Sequence, residues 1–113
     1  MTEYFTRAHY EQAADFIRQR TRHAPTFGIV LGSGMGALAD EVAEADVVDA
    51  EQVPHWPRST VQGHAGRLVI GVLEGHTVLV QQGRVHFYEG LSMAHITLPV
   101  RVMKQLGVQG LIV

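Results

Sequence analysis

The chain has no cysteine among its 113 residues, which excludes a disulfide framework and thiolate chemistry and fits a reducing, cytoplasmic setting. No apolar run approaches the ~20 residues that a membrane-spanning helix needs. The polar start, Met1-Thr2-Glu3-Tyr4, is no signal peptide. Charge of either sign is also in short supply: Lys and Arg total 9, Asp and Glu 11, and the formal net charge is -2. Such a chain has no general attraction for nucleic acid or for an anionic membrane, so any anion it binds must be held by a local cluster. Repeats and low-complexity segments are absent as well. What is there, 46% hydrophobic and 18% charged residues, is the composition of one ordinary globular domain spanning residues 1–113. A domain of this size buries about two thirds of the surface its unfolded chain exposes.

The pattern alternates helices and strands. Tyr10, Ala13, Ala14 and Ile17 recur at helical spacing, with Glu11 and Asp15 early and Arg18, Arg20 and Arg22 late, an amphipathic helix ended before Pro25. Residues 26–31 form a short apolar run that stops at a glycine cluster and read as a buried strand. Ala37, Leu38 and Val42 predict a second helix, and residues 46–50 a short strand. Pro54, Pro57 and Gly63 break residues 52–66 into a long loop, a length that in a compact domain tends to carry function. Residues 67–73 and 76–82 are strand-like runs around Glu74-Gly75, a two-residue hairpin signal. Ile96, Val100, Met103 and Leu106 share one helical face, with Pro99 inside the helix as a kink and Gly107 as its C-terminal cap. The last residues, Gly110-Leu111-Ile112-Val113, read as the opening of a buried strand with nothing to follow it, so a truncated chain is expected.

Three constellations carry chemistry. Gly32-Ser33-Gly34-Met35-Gly36 joins a strand to a helix, where backbone amides, the helix N-terminus and the Ser33 hydroxyl can meet an anion. No GK[ST] follows, so it is not a P-loop. It does fit G-x-G-x-x-A through Gly32, Gly34 and Ala37, with Asp49 or Glu51 near the distance of a ribose-binding acid, which keeps a dinucleotide-binding module open. The second is the loop segment 58–67, with glycines, hydroxyls, Arg58, His64 and Arg67. The third is Gln82-Gly83-Arg84-Val85-His86-Phe87-Tyr88-Glu89-Gly90. There Arg84 offers a fork of donors suited to phosphate or carboxylate, and His86 points to the same side of an extended chain. Seven histidines invite a metal reading. His64, His76, His86 and His95, however, show neither an i, i+4 pair nor the spacing of known sites, and no metal is expected. His9, His23 and His76 read as surface residues, Met93 and Met103 as core.

Taken in order and spacing, the three motifs resemble the N-terminal part of the trimeric class of purine nucleoside phosphorylases. The match runs from the first helix to the last residue. Methylthioadenosine phosphorylases share the first and third motifs more loosely, and the loop 59–66 favours the purine nucleoside enzyme. The resemblance implies an α/β fold, the N-terminal part of the nucleoside phosphorylase fold, with a mixed central β-sheet flanked by helices.

It also implies phosphorolysis: inorganic phosphate, the co-substrate, attacks C1′ of a purine (deoxy)ribonucleoside and releases the base and pentose 1-phosphate. Ser33, His64, Arg84, Val85 and His86 would bind phosphate, Tyr88 would contact the sugar, and His86 and Glu89 would serve catalysis in the network beside it. No cofactor is implied, and the full-length protein would be a cytoplasmic homotrimer in purine salvage. In the family the residues that recognise the purine come later in the sequence than position 113. The expectation is therefore a fragment with negligible turnover alone, or a noncatalytic remnant of the fold.

Overall fold

The computed structural model describes residues 6–30, 36–56, 66–82 and 93–112. Helix α1, Arg7–Arg18, begins at Thr6, whose hydroxyl accepts from the His9 amide, while the Thr6 amide donates to His9 Nδ1 at 3.1 Å. This is a capping box with histidine in the place usually held by Glu or Gln. Ala13, Ala14 and Ile17 are the buried face that the spacing predicts. Helix α2, Met93–Gln105, runs through Pro99 without ending there. It closes in a Schellman motif: Val108 N–H donates to the Met103 carbonyl at 3.0 Å, Gly107 N–H donates to that of Lys104 at 3.1 Å, and Gly107 sits at φ 97°. The cap at Gly107 is thus borne out.

Between the helices, five strands form one mixed sheet in the order β2-β3-β4-β1-β5. They are β1 Phe27–Val30, β2 Ala43–Asp49, β3 Arg67–Leu73, β4 His76–Gln82 and β5 Gly110–Ile112. The β3–β4 hairpin turns on Glu74 and Gly75, with φ 51° and 79°, the left-handed pair of a type I′ turn. β1 lies parallel to both β4 and β5. Side chains alternate across the sheet. Val30, Val48, Leu68, Ile70 and Leu79 pack against Ile17, Leu98, Val102 and Met103 of the helices. Ile29, Val69, Val78 and Val80 face the other way, toward Ala39 and Val42. β3 and β4 are therefore buried on both faces, as near-continuous apolar strands require.

Five expectations are corrected. The helix expected from Ala37 is a 3₁₀ helix, Gly36–Glu41. Six residues are too few for α-helical bonding to propagate, and anchoring Ala39 and Val42 satisfies the segment. β2 starts at Ala43 rather than at residue 46 because a bulge between Ala43 and Asp46, with Glu44 at φ 53°, lets the small residues pair. The apolar face of α2 is turned: Leu98 and Val102 are fully buried with Met103, while Val100 is 44% exposed. The apolar arc of α2, bounded by Thr97, Arg101, Lys104 and Gln105, is wider than the face that α1 and the sheet cover. His23 is not a surface residue either. It is half-buried, its Nε2 lies 2.8 Å from the Glu44 carbonyl, and it faces Asp46, whose carboxyl accepts from Thr21 Oγ1 at 2.7 Å. The strand expected at residues 110–113 forms as β5, but as an edge strand with Leu111 and Ile112 exposed rather than buried.

Candidate functional site

Strand direction decides where the three motifs meet. β1 and β4 run parallel with Val30 opposite Gln81, so the C-terminal ends of these neighbouring strands lie side by side, about 4.8 Å apart. β3 runs the other way with Arg67 opposite Gln82, so its first residue lies at that same end of the sheet. In the sequence, the segments with Ser33, with His64 and with Arg84 to Glu89 directly adjoin these strand ends. The connections then part: the 3₁₀ helix after β1 packs on one face of the sheet and α2, after β4, on the other. Carboxyl ends of parallel strands where connections diverge are where α/β sheets bind ligands.

The residues singled out for that role, Ser33, His64, Arg84, Val85, His86, Tyr88 and Glu89, lie outside the described residues, as do residues 57–65 of the long loop. The strand ends that carry them are described, and two side chains there were not anticipated. Gln81 is buried, 5% exposed, a polar residue closing an otherwise apolar strand. Its neighbour Gln82 accepts from Arg67 Nε and Nη2 at 3.0 and 2.7 Å. Arg67, expected among the basic residues of the loop motif, therefore clips β3 to β4 with one edge of its fork. The run Val78-Leu79-Val80-Gln81-Gln82 carried a usable signal, since polar residues ending a core strand mark a functional rim.

The dinucleotide reading fails on topology. In that fold the ribose acid ends the strand beside the first one. Here β3 and β4 separate β2, which ends in Asp49, from β1, and Asp49 instead accepts from the Glu51 amide at 3.1 Å. Asp46, three residues back along β2, is held below the usual carboxylate pKa, chiefly by the Thr21 hydroxyl. It lies away from the strand ends under discussion. Among the described residues no group of three or more His, Cys, Asp or Glu side chains is placed to hold a metal ion. Among them, too, no helix is long and apolar enough to cross a membrane.

Known proteins with the same architecture carry the same chemistry in their names. Residues 26–113 match the family model of the Phosphorylase superfamily, and the chain belongs to that superfamily. It is 55% identical over 103 residues to purine nucleoside phosphorylase 1 of Bacillus subtilis, covering 91% of this chain and 38% of the relative. It is 43% identical over 113 residues to the rat purine nucleoside phosphorylase, covering 100% and 39%. Among solved structures, isoform 2 of the Schistosoma mansoni enzyme, in complex with cytosine and ribose-1-phosphate, superposes with a TM-score of 0.88 at 42% identity, over 94% of this chain and 37% of that one. The resemblance read from the three motifs, and the α/β fold it implied, are borne out. The chain spans 38% of the length of the first of these relatives.

Proposed function

We propose that this sequence encodes the phosphate-binding half of a purine nucleoside phosphorylase, the enzyme that cleaves purine (deoxy)ribonucleosides with inorganic phosphate to free base and pentose 1-phosphate. The observation that supports the reading is that the ends of β1, β3 and β4, which the three motifs adjoin in sequence, lie side by side, in a chain 55% identical to a named purine nucleoside phosphorylase. Residues 1–113 belong to one domain on this reading. Arg84 presents its fork to phosphate, Ser33 and the glycine-rich amides add donors, and His86 and His64 complete the shell with the Val85 backbone. Tyr88 contacts the sugar, and Glu89 orders the hydrogen bonds beside it.

The chemistry suits that donor set. Phosphate must be stripped of water and aimed at C1′ while that carbon gains oxocarbenium character and the base departs. Fixed donors at the phosphate oxygens achieve this without a covalent nucleophile, a metal or an organic cofactor. A cytoplasmic homotrimer is the form proposed for the whole protein. The test against a nucleotide-binding module is calorimetric titration of the chain with inorganic phosphate and, separately, with NADH. Saturable binding of phosphate alone is expected; saturable binding of NADH with none of phosphate would overturn the reading.

A further inference from the structure

His9 on α1 and His55 on the turn after β2 stack with ring centroids 4.5 Å apart and planes at 45°. His55 Nε2 also lies 2.7 Å from Gln12 Oε1, one helical turn further along α1. The backbone at His55 is left-handed, φ 67°, which a residue with a side chain adopts only when its surroundings hold it there. The residue that follows is Trp56, the sole tryptophan of the sequence. It is 5% exposed and packs in the cluster that contains Ala13, Ala14 and Ile17. The two imidazoles thus sit where α1 grips the turn that seats a large core side chain.

We propose that the His9–His55 stack is a pH-sensitive latch between α1 and the turn carrying Trp56, closed while both rings are neutral and released when they become cations. This inference rests on the described geometry and not on the phosphorylase reading. His9 Nδ1 accepts from the Thr6 amide at 3.1 Å, so it carries no proton there, and protonating it replaces an acceptor with a donor aimed at a donor. The resulting cation sits in the first turn of α1, against the positive pole of the helix dipole. Two imidazolium rings at this separation then repel, whereas two neutral rings stack.

Among the described residues, the charged groups around the pair are these. Arg7 pairs with Glu11 at 3.3 Å on α1 and Arg18 with Asp15 at 2.7 Å. Arg101 of α2 lies 5.8 Å over the Tyr10 ring, and Asp49 and Glu51 occupy the turn after β2. Burial first, and then the charge of His9, holds the His55 imidazole below its ordinary 6.5. The unfolded chain therefore takes up the proton first. The stability that His55 lends is complete above that value and is lost as pH falls through it toward the lowered one.

Trp56 reports the latch directly. The emission maximum of the full chain, followed from about pH 8 to about pH 5, is expected to shift to longer wavelength on acidification while the far-ultraviolet helical signal persists. His55→Asn keeps a residue tolerant of the left-handed backbone and removes the titrating ring, and should abolish the shift. His9→Gln keeps a capping box but removes the second charge, and should move the midpoint upward in pH. A wild-type maximum that stays constant over this range overturns the proposal. So does a shift that both variants reproduce unchanged, or one that coincides with loss of helix in all three proteins.

Discussion

Replacing Arg84 by methionine is expected to lower phosphorolysis by about 10²–10³-fold, the loss seen when a fixed donor to developing negative charge is removed. The setting for the measurement is a hybrid in which this chain replaces the stretch of the Bacillus subtilis enzyme that it matches over 103 residues. Methionine keeps most of the length and apolar body of arginine and removes the charge and the fork of donors. On the proposed reading that fork meets the attacking phosphate, so kcat/KM for phosphate should carry the loss while kcat/KM for the nucleoside at saturating phosphate changes less. Arg84→Lys should fall between the two, because an ammonium supplies the charge as a point without the bidentate geometry. A decrease smaller than about 5-fold in a folded Arg84→Met hybrid would remove Arg84 from the phosphate site.

Gly71→Val should destabilise the fold by about 3 kcal/mol, at the upper end of what overpacking a core site costs. Gly71 lies in β3 beneath the bulge of β2. A Cβ built there falls against the Ala43 carbonyl oxygen, 2.8 Å from Val42 Cγ1 and 3.2 Å from Ala45 Cα. Two of those three neighbours are backbone, so no side-chain rotation relieves the clash. The bulge cannot retreat cheaply, since Asp46 pairs with Ile70 and the Glu44 carbonyl bonds His23. Gly75 is the control: it has φ 79° but nothing within 4 Å of an added Cβ. Gly75→Asn, a residue at home in such turns, should cost under about 1 kcal/mol. Urea unfolding of the three proteins gives the comparison, and equal midpoints for Gly71→Val and Gly75→Asn would contradict the close approach.

What the sequence disclosed depended on how local the cause was. The Glu74-Gly75 turn, the buried stripe of α1 and the stop at Gly107 each follow from neighbours within one or two turns of chain, and each is found. Failures arose where a distant partner decides. The run Ala43-Glu44-Ala45-Asp46 has no β-branched or aromatic residue to mark a strand, and it pairs because β3 offers Gly71 as room for a bulge. The apolar arc of α2 is wider than one packing face, so α1 and the sheet decide that Leu98 and Val102 go inward while Val100 does not. The glycine motif after β1 read equally as a dinucleotide turn until the strand order placed β2 at the far edge. His23 and His9 looked like surface histidines, because nothing nearby in sequence indicates the Glu44 carbonyl or the ring of His55. Residue types named the candidate site. The common line of strand ends that its segments adjoin in sequence comes from the pairings of Val30 with Gln81 and Arg67 with Gln82.

The central claim is that these motif-bearing segments hold the phosphate that cleaves a purine nucleoside. Release of hypoxanthine from inosine by the hybrid, measured against phosphate concentration together with the ribose 1-phosphate formed, tests it most directly. The account predicts base release that requires phosphate and saturates with it, with one ribose 1-phosphate for each base. Base release indifferent to phosphate, or no release by a folded hybrid, would contradict it.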